Sequence, residues 1–178
     1  MDNEISKILI DAKTIDARVK ELAEQIAADY ADKHLVMVCI LKGSFMFFSD
    51  LVRYLSLPTE IEFMRVSSYG SGTVSGGDIN VSLDIKREDL SDCDLLVIED
   101  IIDSGRTLSK LVPYLEKCAR SVKVCTLLDK PDRREIEMNV DYRGFSIPDE
   151  FVVGYGLDYA EKYRTLPDVC VLDPKVYS

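Results

Sequence analysis

The stretch LLVIEDIIDSGRTLSK spans residues 95–110 and joins an apolar run to an acidic pair and a loop of small residues. Its first four residues are apolar and precede Glu99 and Asp100, which predicts a buried strand with both acids at its carboxyl end. The loop from Ser104 leads into a helix that is expected to begin near Thr107. Ligands of open parallel sheets bind beyond the carboxyl ends of the strands, so chemistry is expected at this stretch.

The neighbouring segments repeat the same alternation of strand and helix. Apolar residues from Leu108 to Ala119 follow a helical period interrupted only by Pro113, and VKVCTLL at 122–128 predicts the next strand. Upstream, LVMVCIL at 35–41 predicts another strand covered on both faces. Strand, helix and strand of these lengths form a crossover between neighbouring parallel strands. The predicted class is α/β, with a mostly parallel central sheet of about five strands flanked by helices.

Shorter patterns predict the remaining elements of the first half. One amphipathic helix is expected after Thr14, a suitable N-cap, and a second from Ser44 to about residue 55. Residues 60–67 alternate as a strand does, and residues 80–84 would return antiparallel as the second arm of a hairpin. The connecting segment YGSGTVSGG is rich in glycine, which predicts a flexible loop.

Two apolar runs of strand length lie near the end of the sequence. FVVG begins at residue 151 and VCVL at residue 169. Both are expected to complete the central sheet. Because no linker rich in Pro, Gly or Ser divides the chain and the apolar segments are spread throughout, residues 1–178 are predicted to form a single domain.

The composition restricts the possible partners and locations. The 178 residues contain 22 Lys and Arg against 32 Asp and Glu, a formal net charge of -10. Nucleic-acid affinity comes mainly from basic side chains, so no nucleic-acid partner is expected. No apolar run approaches the roughly 20 residues that cross a bilayer. No membrane partner is expected either, and the predicted location is the cytoplasm.

Cysteine and histidine usage agrees with that location. The five cysteines are odd in number and form no C-x-x-C pair, which is typical of reduced thiols. Cys39, Cys125 and Cys170 lie inside apolar runs and are expected to be buried. The only histidine, His34, has no acid or cysteine at metal-ligand spacing in the sequence, so a position at the surface or at a helix end is expected.

The loop after the acidic pair has the features of a phosphate site. Small and hydroxyl residues at the start of a helix offer free backbone N–H groups and the positive end of the helix dipole. Carboxylates beside such a site can accept hydrogen bonds from sugar hydroxyls or bind Mg²⁺. These features together describe a phosphorylated ribose. Alternatively, Glu99 and Asp100 are solvated charges at a strand end and Asp103 caps the helix.

This segment resembles the binding motif for 5-phosphoribosyl 1-pyrophosphate (PRPP) of the type I phosphoribosyltransferases. Four further blocks resemble the hypoxanthine-guanine branch of that family: LKGSFMFFSDL at 41–51, SSYG at 67–70, LLDKP at 127–131 and FVVGYGLDYAEKYRTLP at 151–167. The resemblance covers most of the chain from residue 35 onward. It implies the type I phosphoribosyltransferase fold, with a small hood over the central sheet and a flexible Gly-rich loop.

The resemblance also implies which residues hold phosphate and metal. Glu99 and Asp100 would contact the ribose hydroxyls directly or through Mg²⁺, and Asp158 would bind the same ion. Arg106 stands where many relatives have Lys, and Ser104 where many have Thr. The 5-phosphate would be held by one continuous loop of Asp103, Ser104, Gly105, Arg106 and Thr107. The pyrophosphate would meet Lys42, Gly43 and Arg164.

The purine would be bound by a second set of residues that the resemblance implies. Asp103 is the candidate general base for the proton on N7. Lys130 would donate a hydrogen bond to the purine O6, Phe151 would stack on the base, and the main chain of Val152 would meet its edge. From the sequence alone, Lys130 could equally be a surface lysine at a strand end and Phe151 a core residue.

The Gly-rich segment carries one further implied role. Ser68 and Tyr69 begin this segment and match the family's flexible lid, which would close over PRPP and exclude water. The composition of the segment is also compatible with an ordinary hairpin tip.

The activity implied by the resemblance is transfer of the 5-phosphoribosyl group from PRPP to N9 of hypoxanthine, and of guanine, with Mg²⁺ as cofactor. A homodimer or homotetramer is expected. An alternative is a regulator of the same fold that senses PRPP and binds nucleic acid, although a regulator could dispense with Asp103 and Lys130. A pyrimidine or adenine enzyme is disfavoured by the blocks LLDKP and FVVGYGLDY. No residue predicts how position C2 of the base is met.

Overall fold

Nine strands and three helices position the functional residues in the computed structural model, which describes residues 4–67 and 80–177. The strands are β1 (Ile5–Ile10), β2 (Leu35–Ile40), β3 (Glu60–Ser67), β4 (Asn80–Leu83), β5 (Asp94–Ile102), β6 (Ser121–Asp129), β7 (Tyr142–Ser146), β8 (Val152–Val153) and β9 (Val169–Leu172). The helices are α1 (Ala12–Asp29), α2 (Phe45–Tyr54) and α3 (Leu108–Glu116). Six strands form a large sheet in the order β4-β3-β2-β5-β6-β7, and three form a small sheet in the order β1-β9-β8.

The large sheet confirms the predicted α/β class. Its strands pair in parallel, except that β4 returns antiparallel beside β3. All six residues of β2 are buried, as expected for a strand with helices or loops over both faces. The strand β5 is longer than predicted and ends at Ile102, so Glu99 and Asp100 lie within its last four residues.

One strand of the large sheet, β7, has no apolar run in the sequence to predict it. It pairs with β6 in parallel at the sheet edge, and only Tyr142 is fully covered. Gly144 lies so close to β6 that a Cβ atom would be 2.4 Å from the carbonyl oxygen of Leu127. The strand is therefore held by backbone approach and pairing, which an apolar pattern does not record.

The prediction for the two late apolar runs is wrong. Residues 152–153 and 169–172 do not join the large sheet; they pair antiparallel with each other, and β9 pairs antiparallel with β1. The pairing joins Ile5 to Leu172 and Ile10 to Val169, residues from opposite ends of the sequence. A short apolar run shows that a strand must be covered but does not show which neighbour covers it. This small sheet occupies the place of the expected hood.

Helix α1 connects the two sheets. Its predicted apolar face is buried, but its N-cap is Asp11 and not Thr14, because the Asp11 carboxylate accepts a hydrogen bond from the Thr14 backbone N–H at 2.9 Å. The same apolar cluster includes residues of α1, of the large sheet and of the small sheet, among them Ile15, Met37 and Val171. Burial of one common cluster therefore sets the position of the small sheet relative to the large one.

The cysteines and the histidine lie away from the carboxyl edge of the large sheet or inside the core. All five cysteines are free, and Cys39, Cys125 and Cys170 are buried as predicted. His34 is partly exposed and pairs with Glu60, so it is a surface residue and not a helix cap. Folding does bring it near Cys93 and Asp89, but Arg87 donates hydrogen bonds to both carboxylate oxygens of that aspartate.

In the described ranges, none of the helices combines the length and the apolar character needed to cross a membrane.

Candidate active site

Three neighbouring cavities lie at the carboxyl edge of the large sheet. The base cavity, of about 480 Å³, is lined by Lys130, Phe151 and Val152 among others. A second cavity of about 580 Å³, here called the Lys42 cavity, lies between the loop after β2 and the loop after β8. The loop cavity, of about 100 Å³, is enclosed by the residues that lead from β5 into α3. Asp103 lines both the base and the loop cavities, and Asp158 lines both the base and the Lys42 cavities.

The loop cavity has the form of an anion site. Ser104, Gly105, Arg106 and Thr107 all line it, as predicted. In the described part of the chain, no hydrogen bond occupies the backbone N–H groups of Gly105 and Thr107. Such free N–H groups at the start of α3 suit a phosphate. The guanidinium of Arg106 pairs with Glu135 across the rim of the cavity.

Gly105 is required by the shape of this loop. Its φ of 82° lies in the left-handed region, and a Cβ atom there would be 2.8 Å from the carbonyl oxygen of Ile136. The carbonyl of Ser104 accepts hydrogen bonds from the N–H groups of Glu135 and Ile136, so the loop is tied to the segment that follows Lys130. The phosphate loop is thus positioned by a segment about 30 residues away, which sequence spacing alone does not indicate.

The acidic pair is half-buried and has few polar partners; the Asp100 carboxylate accepts a hydrogen bond from the Ile101 N–H at 2.7 Å. Burial, with the neighbouring charge of Asp100, raises the pKa of the Glu99 carboxyl well above its usual range. Burial also raises the pKa of Asp100 to about 6. The Oε2 atom of Glu99 is buried and makes no hydrogen bond to any described residue. A buried acceptor atom without a partner favours a ligand over the alternative that these acids are solvated strand-end charges.

Asp100 also explains the glycine in the loop after β2. A Cβ atom at Gly43 would lie 1.5 Å from Oδ2 of Asp100, so no larger residue fits while the carboxylate keeps its place. A Cβ atom at Gly156 would lie 2.1 Å from the carbonyl oxygen of Gly43. Three backbone segments therefore meet at one point, where the loops after β2 and β8 close on the end of β5.

The Lys42 cavity combines basic and acidic side chains. Lys42 donates to Glu161 at 2.8 Å, and Arg164 pairs with Asp158 at 2.8 Å. The Nε atom of Arg164 is buried and has no partner among residues 4–67 and 80–177. The peptide bond between Leu41 and Lys42 is cis. The wall of this cavity thus offers two cations and a backbone turn, which are groups that suit an anion.

A chain of charged side chains crosses the base cavity. Arg133 donates from Nε to the Asp103 carboxylate at 2.8 Å and lies 3.6 Å from Asp149. Asp149 in turn lies 3.8 Å from the ammonium of Lys130. Lys130 is only 7% exposed and lines the base cavity, so the alternative of a surface lysine is wrong. Asp103 accepts from Arg133, and the alternative of a helix-capping role is not seen, since α3 has no side-chain cap.

The apolar walls of the base cavity come from both sheets. Phe151 is 38% exposed, so it is not a core phenylalanine, and the buried Val152 follows it at the start of β8. Ile101 and Leu157 also line the cavity and were not predicted, because neither differs from an ordinary core residue in the sequence. Tyr177 is a third unpredicted wall residue, from a segment with no motif of its own.

The donor set of the Lys42 cavity fits Mg²⁺. Asp100 and Asp158 both line this cavity and supply oxygen ligands, which this hard cation prefers. Glu99 lines the loop cavity instead, with its unpartnered Oε2. Of the predicted site residues, only Ser68 and Tyr69 lie outside the described residues.

Comparisons with known proteins show which family the sequence matches. The family model for the phosphoribosyl transferase domain matches residues 7–160. The chain is 46% identical to the hypoxanthine-guanine phosphoribosyltransferase of Bacillus subtilis, over 99% of this chain and 98% of that protein. A crystal structure of a hypoxanthine phosphoribosyltransferase from Staphylococcus aureus has a TM-score of 0.93 and 45% identity, and covers 100% of this chain and 97% of that chain.

Longer relatives contain the same unit. The chain is 47% identical to the bifunctional protein TilS/HprT of Listeria monocytogenes over 100% of its own length, but it spans only 28% of that protein.

Proposed function

The chain belongs to the phosphoribosyl transferase domain family, and from that premise we propose that it transfers the 5-phosphoribosyl group of PRPP to N9 of hypoxanthine and of guanine. The products would be IMP or GMP and pyrophosphate, which makes the protein a purine salvage enzyme. The observation that carries this proposal is the arrangement of the three cavities, which share Asp103 on one side and Asp158 on the other. A phosphate, a base and a pyrophosphate can therefore meet around one ribose.

We assign the proton transfer to Asp103. As N9 of the purine forms its bond to C1 of the ribose, the bond from C1 to the pyrophosphate oxygen breaks and N7 loses its proton. Asp103 lines the base cavity and its carboxylate is within reach of that proton once Arg133 moves aside. Arg164 and Lys42 neutralise the charge that develops on the leaving pyrophosphate.

Lys130 provides the selectivity for a 6-oxopurine. Its ammonium can only donate hydrogen bonds, and the side chain is almost fully buried at the base cavity. A carbonyl at C6 accepts from it, whereas the amino group of adenine would leave two donors facing each other. An unmatched buried donor lowers affinity by orders of magnitude, so adenine is expected to be a poor substrate.

The proposed cofactor is Mg²⁺, held by Asp100 and Asp158, with Glu99 on the ribose side. When bound, the ion would supply positive charge next to the pyrophosphate and the ribose hydroxyls. The pKa values of Glu99 and Asp100 are raised because burial disfavours their charged forms, and a nearby cation would stabilise those charged forms.

We also propose that residues 1–178 act as one domain and that the protein is a homodimer or homotetramer. Both sheets share one apolar cluster, which supports the single domain. One face of the large sheet exposes Ile61, Phe63 and Leu83, each at least 40% accessible, because Met64 and not its neighbours points into the core. An apolar face of this kind suits contact with a second copy of the chain.

The regulatory alternative is the weaker one. A regulator that binds nucleic acid would leave the base cavity with its buried Lys130 unexplained, and a net charge of -10 opposes binding to phosphate backbones.

The test is an assay of the purified protein with PRPP and one base at a time. IMP should form from hypoxanthine and GMP from guanine, both only with Mg²⁺ present, and AMP formation from adenine should be at least about 100-fold slower. The rate with xanthine, which differs at C2, tests how that position is recognised, for which the sequence predicts no residue. Absence of any nucleotide product with hypoxanthine and Mg²⁺ would overturn the proposal.

A further inference from the structure

The ring of Phe151 is held by other aromatic rings and not by the core. Tyr177 stacks on it with centroids 4.9 Å apart and an angle of 27° between the ring planes. Tyr159 meets the same ring edge-on, with centroids 5.6 Å apart and an angle of 89°. Because Phe151 is 38% exposed, core packing does not restrict its rotamers, and these two tyrosines are what sets its orientation.

Tyr177 is itself anchored by the segment that follows β9. A single 3₁₀ turn covers Pro174–Val176, and the Asp173 carboxylate caps it by accepting from the Lys175 N–H at 2.9 Å. The backbone N–H of Asp173 donates to the carbonyl of Glu4, next to β1. Val176 packs against the apolar cluster of the small sheet. An ordered turn thus holds Tyr177 next to Phe151.

Tyr177 stacks on only one face of Phe151. A phenyl ring has two faces, and both rings line the base cavity of about 480 Å³. We propose that Tyr177 is a positioning residue for the purine: it fixes the Phe151 ring from one side so that the base stacks on the other. This inference rests on the proposed function, because it concerns the base that the enzyme binds.

The expected size of the effect follows from aromatic energetics. A stacked or edge-to-face aromatic pair contributes roughly 0.5–1.5 kcal/mol beyond its buried area, which corresponds to about 2- to 12-fold in an equilibrium constant. A ring that must be ordered on binding also costs affinity, which a pre-positioned ring avoids. Loss of the Tyr177 ring should therefore weaken base binding by about 5- to 10-fold.

The experiment compares Tyr177→Leu with Tyr177→Phe in the intact chain. In Tyr177→Leu the KM for hypoxanthine should rise about 5- to 10-fold, while kcat and the KM for PRPP stay within about twofold. Tyr177→Phe keeps the ring and loses only the hydroxyl, so it should behave like the wild-type protein. Thermal unfolding of both variants is measured in parallel; because Tyr177 is 39% exposed, neither is expected to lose the fold.

Three outcomes would overturn the inference. One is an unchanged KM for hypoxanthine in Tyr177→Leu. Another is an equal rise in the KM for PRPP, which would indicate a general loss of structure. The third is a lower KM for hypoxanthine, which would show that Tyr177 competes with the base for the face of Phe151. Each outcome is measured against a wild-type protein that makes IMP, so it is distinguishable from failure of the proposed function itself.

Discussion

The two sheets contribute to the candidate site in different ways. The large sheet supplies charge: Glu99, Asp100, Asp103 and Lys130 all lie at or just beyond the ends of β5 and β6. The small sheet supplies shape, since Phe151 and Val152 form a wall of the base cavity. Substitutions of Asp103 and of Phe151 should therefore separate proton transfer from base stacking.

The strongest test of this difference is Asp103→Asn, at the end of the large sheet. An amide cannot accept the proton of N7, so kcat for IMP formation should fall by about 100-fold or more, with the KM values for PRPP and hypoxanthine within about threefold. The matched control is Asp132→Asn, an exposed acid in the turn after Lys130 that should leave the rates unchanged. Equal losses in PRPP binding and turnover would show that Asp103 is structural.

The corresponding change in the small sheet is Phe151→Leu. The leucine keeps an apolar wall but removes the stacking ring, so the KM for hypoxanthine should rise about 10-fold and kcat should change little. Tyr54→Leu is the control, because Tyr54 is also 38% exposed but lies at the end of α2, outside the three cavities. If Phe151→Leu lowered kcat as much as Asp103→Asn, the division between the two sheets would be wrong.

A smaller effect should distinguish two acids of the large sheet, Asp100 and Asp129. Burial raises the pKa of Asp100 from 3.8 to about 6, so the folded protein binds more protons than the unfolded chain in that range. Wild-type stability therefore falls as pH rises through that window. Asp100→Asn removes this penalty, and in the absence of ligands it should raise Tm at pH 8 by about 5 °C, with no gain near pH 4.

The control for Asp100→Asn is a buried aspartate that has partners. Asp129 is 2% exposed and pairs with Arg134 and Arg143, the latter at 2.7 Å. Its replacement by Asn removes the carboxylate partner of the partly buried Arg134 and should lower Tm by several degrees. A higher Tm for Asp100→Asn and a lower Tm for Asp129→Asn would support the conclusion that the acidic pair serves ligand binding and not stability. A lower Tm for both would indicate that Asp100 stabilises the fold.

The sequence predicted the large sheet better than the small one for a physical reason. The strands β2, β5 and β6 are buried on both faces, so each must be a continuous apolar run. The strand β7 lies at an edge and is positioned by Gly144, where the backbone approaches Leu127. The strand β8 has two residues, and neither its length nor its pattern identifies β9 and β1 as its neighbours.

The site residues divide in the same way. The loop from Ser104 to Thr107 and the acidic pair were predicted because a phosphate site needs charges and small residues at a strand end, whereas Lys130 was predicted from the family resemblance; the structure places all of them on the walls of the cavities. Ile101, Leu157 and Tyr177 were missed because an apolar or aromatic side chain on a cavity wall looks in sequence like one in the core. The roles of all these residues remain predictions.

The sequence by itself determined the α/β class, the buried strands β2, β5 and β6, and the acidic and small residues at the end of β5 and in the loop after it, since burial and charge are properties of local residue types. Only the tertiary structure decided that β1 and β9 pair across the whole chain, that Gly43 must be small beside Asp100, and that Tyr177 lies against Phe151. These are contacts between distant segments, and their geometry depends on how all the elements pack together.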